Sequence, residues 1–100
     1  MYEIKTTEVY DDWFDSLKDT QGKARIKARL RRVELGNFGD AEPVGDSVSE
    51  LRFFFGSGYR IYFIQHGDEI IILLAGGDKS TQQKDINKAI ELAKEIRGES

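Results

Sequence analysis

Tyr59-Arg60-Ile61-Tyr62-Phe63-Ile64-Gln65-His66-Gly67-Asp68-Glu69-Ile70-Ile71-Ile72-Leu73-Leu74-Ala75-Gly76-Gly77 is the stretch that decides the fold. It reads as two strands about a turn. Residues 59–64 are dense in aromatic and β-branched side chains, which fit a pleated, packed surface. His66-Gly67-Asp68 supplies a hairpin turn. Residues 70–75 are apolar at every position, so both faces are buried and the strand is a central one. Gly76-Gly77 ends it. Upstream, from Ser47, the period is again two. Val48, Leu51, Phe53 and Phe55 are strand formers, and Gly56-Ser57-Gly58 turns the chain into the strand that begins at Tyr59.

The first third follows a helical period instead. Residues 2–6 alternate and form a short edge strand. Thr7 can cap a helix whose first turns carry Glu8, Asp11 and Asp12, acids that suit the positive end of the helix dipole. Val9, Trp13 and Leu17, with Tyr10 and Phe14, form its apolar face. A second helix over residues 20–35 buries Ile26, Leu30 and Val33, with Ala24, Ala28 and Leu35 beside them. Gly36-Asn37 stops it. Residues 38–46 are rich in Gly, Pro and acids and are predicted as loop. Ser80 or Thr81 can cap a last helix with Ile86, Ala89, Ile90, Ala93 and Ile96 as its buried stripe. The predicted order is β-α-α-β-β-β-α, a small α+β single domain over residues 1–100 with a mainly antiparallel sheet packed by helices.

Composition removes several chemistries. The 100 residues include no Cys and one His, His66. That excludes a disulfide scaffold, a thiol nucleophile and Cys-ligated zinc, and argues against a His metal cluster or a Ser-His-Asp triad. The apolar run at 70–75 is too short to span a bilayer. The acidic N-terminus lacks a basic-then-apolar leader pattern, which predicts a cytoplasmic protein. The net charge of −3 taken alone points away from nucleic acid.

Placed along the chain, the charge says otherwise. Residues 1–20 carry two bases and six acids, and residues 37–77 carry the same numbers. Residues 21–36 carry six bases, Lys23, Arg25, Lys27, Arg29, Arg31 and Arg32, against Glu34 alone. Arg25, Arg29 and Arg32 recur at helical spacing opposite Ile26, Leu30 and Val33, with Lys23, Lys27 and Arg31 as an adjacent stripe. Such a face can neutralise several phosphates. It can equally be a solvated face, or one that docks on an acidic partner.

A second constellation is Arg52, Arg60 and Lys79. A hairpin about Ser57 sets Arg52 about one pair off Arg60, so the two can share a face. Paired guanidinium forks grip a phosphate, and cations near a scissile phosphate stabilise its transition state. The alternative is that these arginines pair with acids such as Glu50 or Asp78. Gly76-Gly77-Asp78-Lys79-Ser80-Thr81 lacks the spacing of a nucleotide-binding P-loop, and a turn needing Gly at positive φ explains its glycines. Asp11, Asp12 and Asp15 read as a solvated helix face. Trp13 and the phenylalanines read as core. His66 lies in a hairpin turn, and imidazole is the side-chain type most often used for acid–base work near neutral pH.

Ser49-Glu50-Leu51-Arg52, Gly56-Ser57-Gly58-Tyr59-Arg60-Ile61-Tyr62-Phe63 and Leu74-Ala75-Gly76-Gly77-Asp78-Lys79-Ser80-Thr81-Gln82 together resemble the RelE/ParE superfamily of type II toxin–antitoxin toxins. More narrowly they resemble its addiction module killer protein branch, related to HigB toxins. Ala24-Arg25-Ile26, Arg29-Leu30-Arg31-Arg32, Gly36-Asn37-Phe38-Gly39-Asp40 and Pro43-Val44-Gly45 fit the same branch. The resemblance covers about residues 8–96.

The resemblance implies a RelE-like microbial RNase fold and a ribosome-dependent mRNA endonuclease (mRNA interferase) that needs no metal or cofactor. In such toxins a ribose 2′-OH attacks the neighbouring phosphate, and basic side chains orient the RNA. By position, Arg60 matches the central catalytic arginine, Arg52 lies near a strand cation and Lys79 matches a basic residue after the last strand. Lys23, Arg25, Lys27, Arg29 and Arg32 become candidate RNA contacts. Related toxins carry a Tyr or His near the C-terminus for proton transfer. Here the stretch after Lys79 has neither, which leaves Tyr59, His66, Asp78 and Gln82. The implied partners are a cognate antitoxin, in a heteromeric toxin–antitoxin complex, and mRNA on the ribosome, with no membrane. Sister ParE toxins inhibit gyrase on the same scaffold, so gyrase inhibition without RNA cleavage stays open, as does an inactive antitoxin-binding remnant.

Overall fold

The computed structural model describes residues 1–98 as β1 (Glu3–Thr6), α1 (Glu8–Ser16), α2 (Thr20–Glu34), β2 (Ala41–Gly45), β3 (Val48–Arg52), β4 (Arg60–His66), β5 (Ile70–Gly77) and α3 (Gln82–Ile96). The strands form one mixed sheet in the order β1-β5-β4-β3-β2. β1 runs parallel to β5, and the other neighbours are antiparallel. The α+β architecture and the predicted element order hold, with one strand added. No helix among the described residues is long and apolar enough to cross a membrane.

The added strand is β2, inside the segment expected to be loop. Its exposed acids and Pro43 hide the strand signal, because an edge strand can carry a residue that donates no ladder hydrogen bond. Pairing supplies what propensity lacks: Ala41 faces Leu51 and Glu42 faces Glu50.

α2 and α3 cover opposite faces of the sheet. Ile26 and Val33 of α2, with Tyr10 of α1, pack on Leu51, Ile61, Phe63, Ile71 and Leu73. Ala89 and Ala93 of α3 pack on Val48, Tyr62, Ile64, Leu74 and Ala75. Alternation along β4 therefore serves both layers. In β5 the register slips: Phe63 pairs with Leu73 but Tyr62 with Ala75, which leaves Leu74 over. That bulge puts Leu74 and Ala75 toward the same layer and reverses the alternation beyond them.

The reversal explains Gly76 and Gly77. Neither has a positive φ, so conformational freedom is not what these positions need. A Cβ on Gly76 would meet the Trp13 ring, and one on Gly77 would meet the Asp85 carboxylate. They are glycines because α1 and α3 approach the strand end closely on its two sides. Ser80 does not cap α3. Asp78 accepts from the Ser80 N–H at 2.9 Å and from its hydroxyl at 2.6 Å, capping a single 3₁₀ turn over Lys79–Thr81 that leads into the helix. Thr81 holds the N-cap position of α3 without a side-chain cap bond there.

Three large apolar residues assigned to the interior are outside. Phe54 is 79% exposed, Leu35 is 69% exposed, and Ile96, the last residue of α3, is 37% exposed. Leu35 lies past the last turn of α2, where the helical stripe no longer applies. β3 ends at Arg52 and the hairpin pairing runs out at Phe53, which turns in, at 2% exposed, while Phe54 turns out.

Candidate functional site

One end of the sheet collects the candidate cations. Arg52 closes β3, Arg60 opens β4, and Lys79 follows the end of β5. Arg52 and Arg60 are directly paired across β3 and β4, not one position apart as turn counting predicts. Phe53 N–H donates to the Tyr59 carbonyl, so the hairpin continues one pair past the strands before the turn opens. Arg60 in turn faces Gly77. His66 is at the far end of β4, about 20 Å away at the usual strand rise, and exposed beside Asp68 and Glu69. It cannot share a reacting group with Arg60.

Both strand arginines are opposed by acids. Arg52 donates to both oxygens of Asp40, at 3.2 and 2.9 Å, and to Glu42 at 3.1 Å. That pairing holds the Asp40 carboxyl below its ordinary pKa, the hydrogen bonds from Arg52 being the main cause. Arg60 is only 7% exposed, and its Nε lies 3.8 Å from Oε1 of Glu50, itself 2% exposed. One Arg60 terminal nitrogen donates to the Gly58 and Tyr59 carbonyls. Arg60 Nε and the Tyr62 hydroxyl have no hydrogen-bond partner among the described residues. Gln82 donates to the other oxygen of Glu50 at 2.9 Å. Glu50, a residue that sequence reasoning considered only as a possible partner, is thus the centre of a buried polar cluster. A charged residue among apolar strand positions was the available signal, since an acid is seldom fully buried unless paired.

The remaining proton-transfer candidates have structural work. Tyr59 donates to Asp19 at 2.9 Å, and burial followed by that bond raises its pKa. Asp19 is the N-cap of α2, accepting from Gly22 N–H at 2.9 Å. Asp78 is occupied by its cap, whose hydrogen bonds from Ser80 lower its pKa. Lys79 is exposed, and its stem passes over Gly58.

The α2 cations divide into two kinds. Arg29 is half-buried, and burial lowers its pKa. It donates to the carbonyls of Phe38 and Asp40, at 2.9 and 2.7 Å, and to that of Arg52. Its guanidinium lies 4.6 Å from the Phe53 ring centre. Arg29 is therefore a tether between α2, the segment before β2 and the end of β3, with four of its five N–H donors already engaged. Lys23 and Lys27 lie over Phe14. Arg25 lies over Phe55, 5.0 Å from the ring centre. Arg25, Arg29, Arg32 and Arg52 line a cleft of about 320 Å³ with Phe53, Phe54 and Phe55. Basic side chains interleaved with aromatic rings form a surface for flat, negatively charged ligands.

A mixed sheet flanked by a helical pair and a C-terminal helix is a RelE-like fold. A chain of the intact E. coli RelBE toxin–antitoxin complex superposes with a TM-score of 0.61 at 13% identity, covering 78% of this chain and 96% of that one. The sequence model described as phage derived protein Gp49-like (DUF891) matches residues 12–97, and the chain belongs to that family. An uncharacterized protein of Haemophilus influenzae is 49% identical over 94 residues, 94% of this chain and 95% of that protein.

Proposed function

We propose that the chain is the toxin of a type II toxin–antitoxin module, of HigB-like type, acting in the cytoplasm as a ribosome-dependent mRNA endonuclease. The observation that carries this reading is the convergence of Arg52, Arg60 and Lys79 on one sheet end, beside a helix whose outer face is basic. The fold shared with a chain of a toxin–antitoxin complex supports it. In this reading Lys79, exposed on the 3₁₀ turn, meets the scissile phosphate. Arg60, buried against Glu50, adds positive charge to the field in which the 2′-OH attacks the phosphorus; the P–O5′ bond then breaks to leave a 2′,3′-cyclic phosphate and a 5′-OH, with neither metal nor cofactor. A cognate antitoxin masks the site in a heteromeric complex, an acidic or apolar segment suiting the basic face.

A specific observation favours a second reading. Arg52 and Arg60 both stand against acids, so the same surface can poison a target such as gyrase by binding alone. Induced expression with mapping of mRNA 5′ ends separates the two. Cleavage in translated regions, lost in Arg60→Ala and Lys79→Ala, supports the endonuclease. DNA-damage signalling with translation initially intact supports the gyrase inhibitor. Absence of any growth effect, with a tight antitoxin complex preserved, would leave the chain as a binding remnant.

A further inference from the structure

Phe54 is the anomaly of the cleft. Its neighbours Phe53 and Phe55 pack inward and carry the Arg29 and Arg25 guanidinium groups on their rings. Phe54 instead presents 79% of its surface to solvent at the cleft wall. The cation inventory is equally uneven. Arg29 spends four of its five donors on three carbonyls, and Arg52 is held by Asp40 and Glu42. Arg25 and Arg32 make no ion pair among the described residues. Asp40, the acid lining the cleft, is already taken by Arg52. What the cleft offers to a ligand is two guanidinium groups without an ion pair, Arg25 resting on Phe55 and Arg32, lining the same cleft as an exposed aromatic ring.

We infer that this cleft seats one nucleotide of a single-stranded RNA, with a base stacked on Phe54 and the flanking phosphates held by Arg25 and Arg32. The inference rests on the RNA-acting reading above and moves the grip on the substrate from the acid-paired sheet arginines to α2. Charge complementarity selects a polyanion, and the exposed ring selects one with flat apolar faces. A duplex hides those faces, so the strand is single. The cleft volume is near the low end for sites that enclose a small molecule, which suits one nucleotide of a longer chain. The tether by Arg29 fixes the spacing of α2 from the end of β3, so the backbone that carries the platform and both cations is set before binding.

The test is fluorescence anisotropy with a labelled single-stranded RNA of ~12 nucleotides, within the span such surfaces cover, over a series of salt concentrations. Phe54→Leu keeps an apolar side chain but removes the ring. It is expected to weaken binding about tenfold, the order of one lost base–aromatic stack, while Phe54→Trp retains affinity. The Arg25→Ala/Arg32→Ala pair is expected to reduce the salt slope by about 1.4, two single-strand phosphates' worth. Because Phe54 is exposed, its variants should keep the wild-type urea midpoint, which separates lost binding from lost folding. Absence of RNA binding by the wild-type chain overturns the inference, as does wild-type affinity in Phe54→Leu. Weakened binding of the co-purified antitoxin with unchanged RNA affinity also overturns it and makes the surface a protein-docking site. Phe54-dependent binding without any cleavage on ribosomes leaves the inference standing and removes the endonuclease reading. Cleavage with Phe54-independent binding does the reverse.

Discussion

Glu50 and Arg60 face each other inside the protein, Oε1 to Nε at 3.8 Å, both almost wholly removed from solvent. At that distance the contact is a charge pair without a hydrogen bond, and the Nε proton is left unmatched. The pair is held from outside: Gln82 takes the second Glu50 oxygen, and the Gly58 and Tyr59 carbonyls take an Arg60 terminal nitrogen.

Removing the acid should cost more than the pair contributes. Glu50→Leu leaves a buried guanidinium unopposed, and breaking a buried pair from one side costs about 3–5 kcal/mol. Glu50→Gln keeps an oxygen for Gln82 and should cost less. Urea denaturation checks the order. Equal stability of wild type and Glu50→Leu would show that water already solvates Arg60.

Arg29→Lys tests the tether. A lysine keeps the charge but cannot fork to the carbonyls of Phe38, Asp40 and Arg52. Part-buried carbonyls left unmatched cost about 1–3 kcal/mol. The loss should concentrate between α2 and β2, so amide exchange should quicken at residues 38–41 more than in β4. Uniform quickening would place Arg29's contribution elsewhere.

Gly76→Ala should destabilise although alanine is the better residue by intrinsic conformational entropy. The added methyl meets the Trp13 ring between α1 and β5, and overpacking of this kind costs about 1–3 kcal/mol. Near-ultraviolet circular dichroism, which reports Trp13, should change with the urea midpoint. A neutral or stabilising Gly76→Ala would mean that α1 yields readily.

Acid should unfold the protein through its capping and paired aspartates. Asp19, Asp40 and Asp78 all have pKa values below the ordinary 3.8. The leading causes are the Gly22 N–H, the Arg52 hydrogen bonds and the Ser80 hydroxyl, respectively. A depressed folded pKa means the unfolded chain binds protons first. The stability from these groups is complete at neutral pH and is lost as pH falls below about 4 through the folded values. Asp19→Asn can still cap α2, so its urea midpoint should fall less between neutral pH and about pH 3. A wild-type midpoint flat over that range would contradict the assignment.

Much of the fold was legible because long elements announce themselves by period. Ile26, Leu30 and Val33 mark α2, and Ala89 and Ala93 mark α3, at helical spacing. The unbroken apolar run of β5 marks a strand covered on both sides. β2 was not legible, since Glu42 and Pro43 join the sheet through β3's ladder and not through their own preference. The site was half legible. Its cations could be enumerated, but whether each is free depends on acids far off in sequence. Asp40 lies twelve residues from Arg52, and Glu50 lies ten from Arg60 across a hairpin.

By itself, then, the sequence determined that the chain has no thiol and a single imidazole to offer, because it holds one His and no Cys. It also determined that the basic charge is gathered on one helix. Tertiary structure alone decided which of those cations remain available. Strand register set Arg52 opposite Arg60, and close packing delivered Glu50 to one and Asp40 to the other. The end of β3 turned Phe54 outward beside Arg25 and Arg32. Charge is a property of residues and can be counted, whereas pairing and exposure are properties of distances, which exist only once the chain has folded.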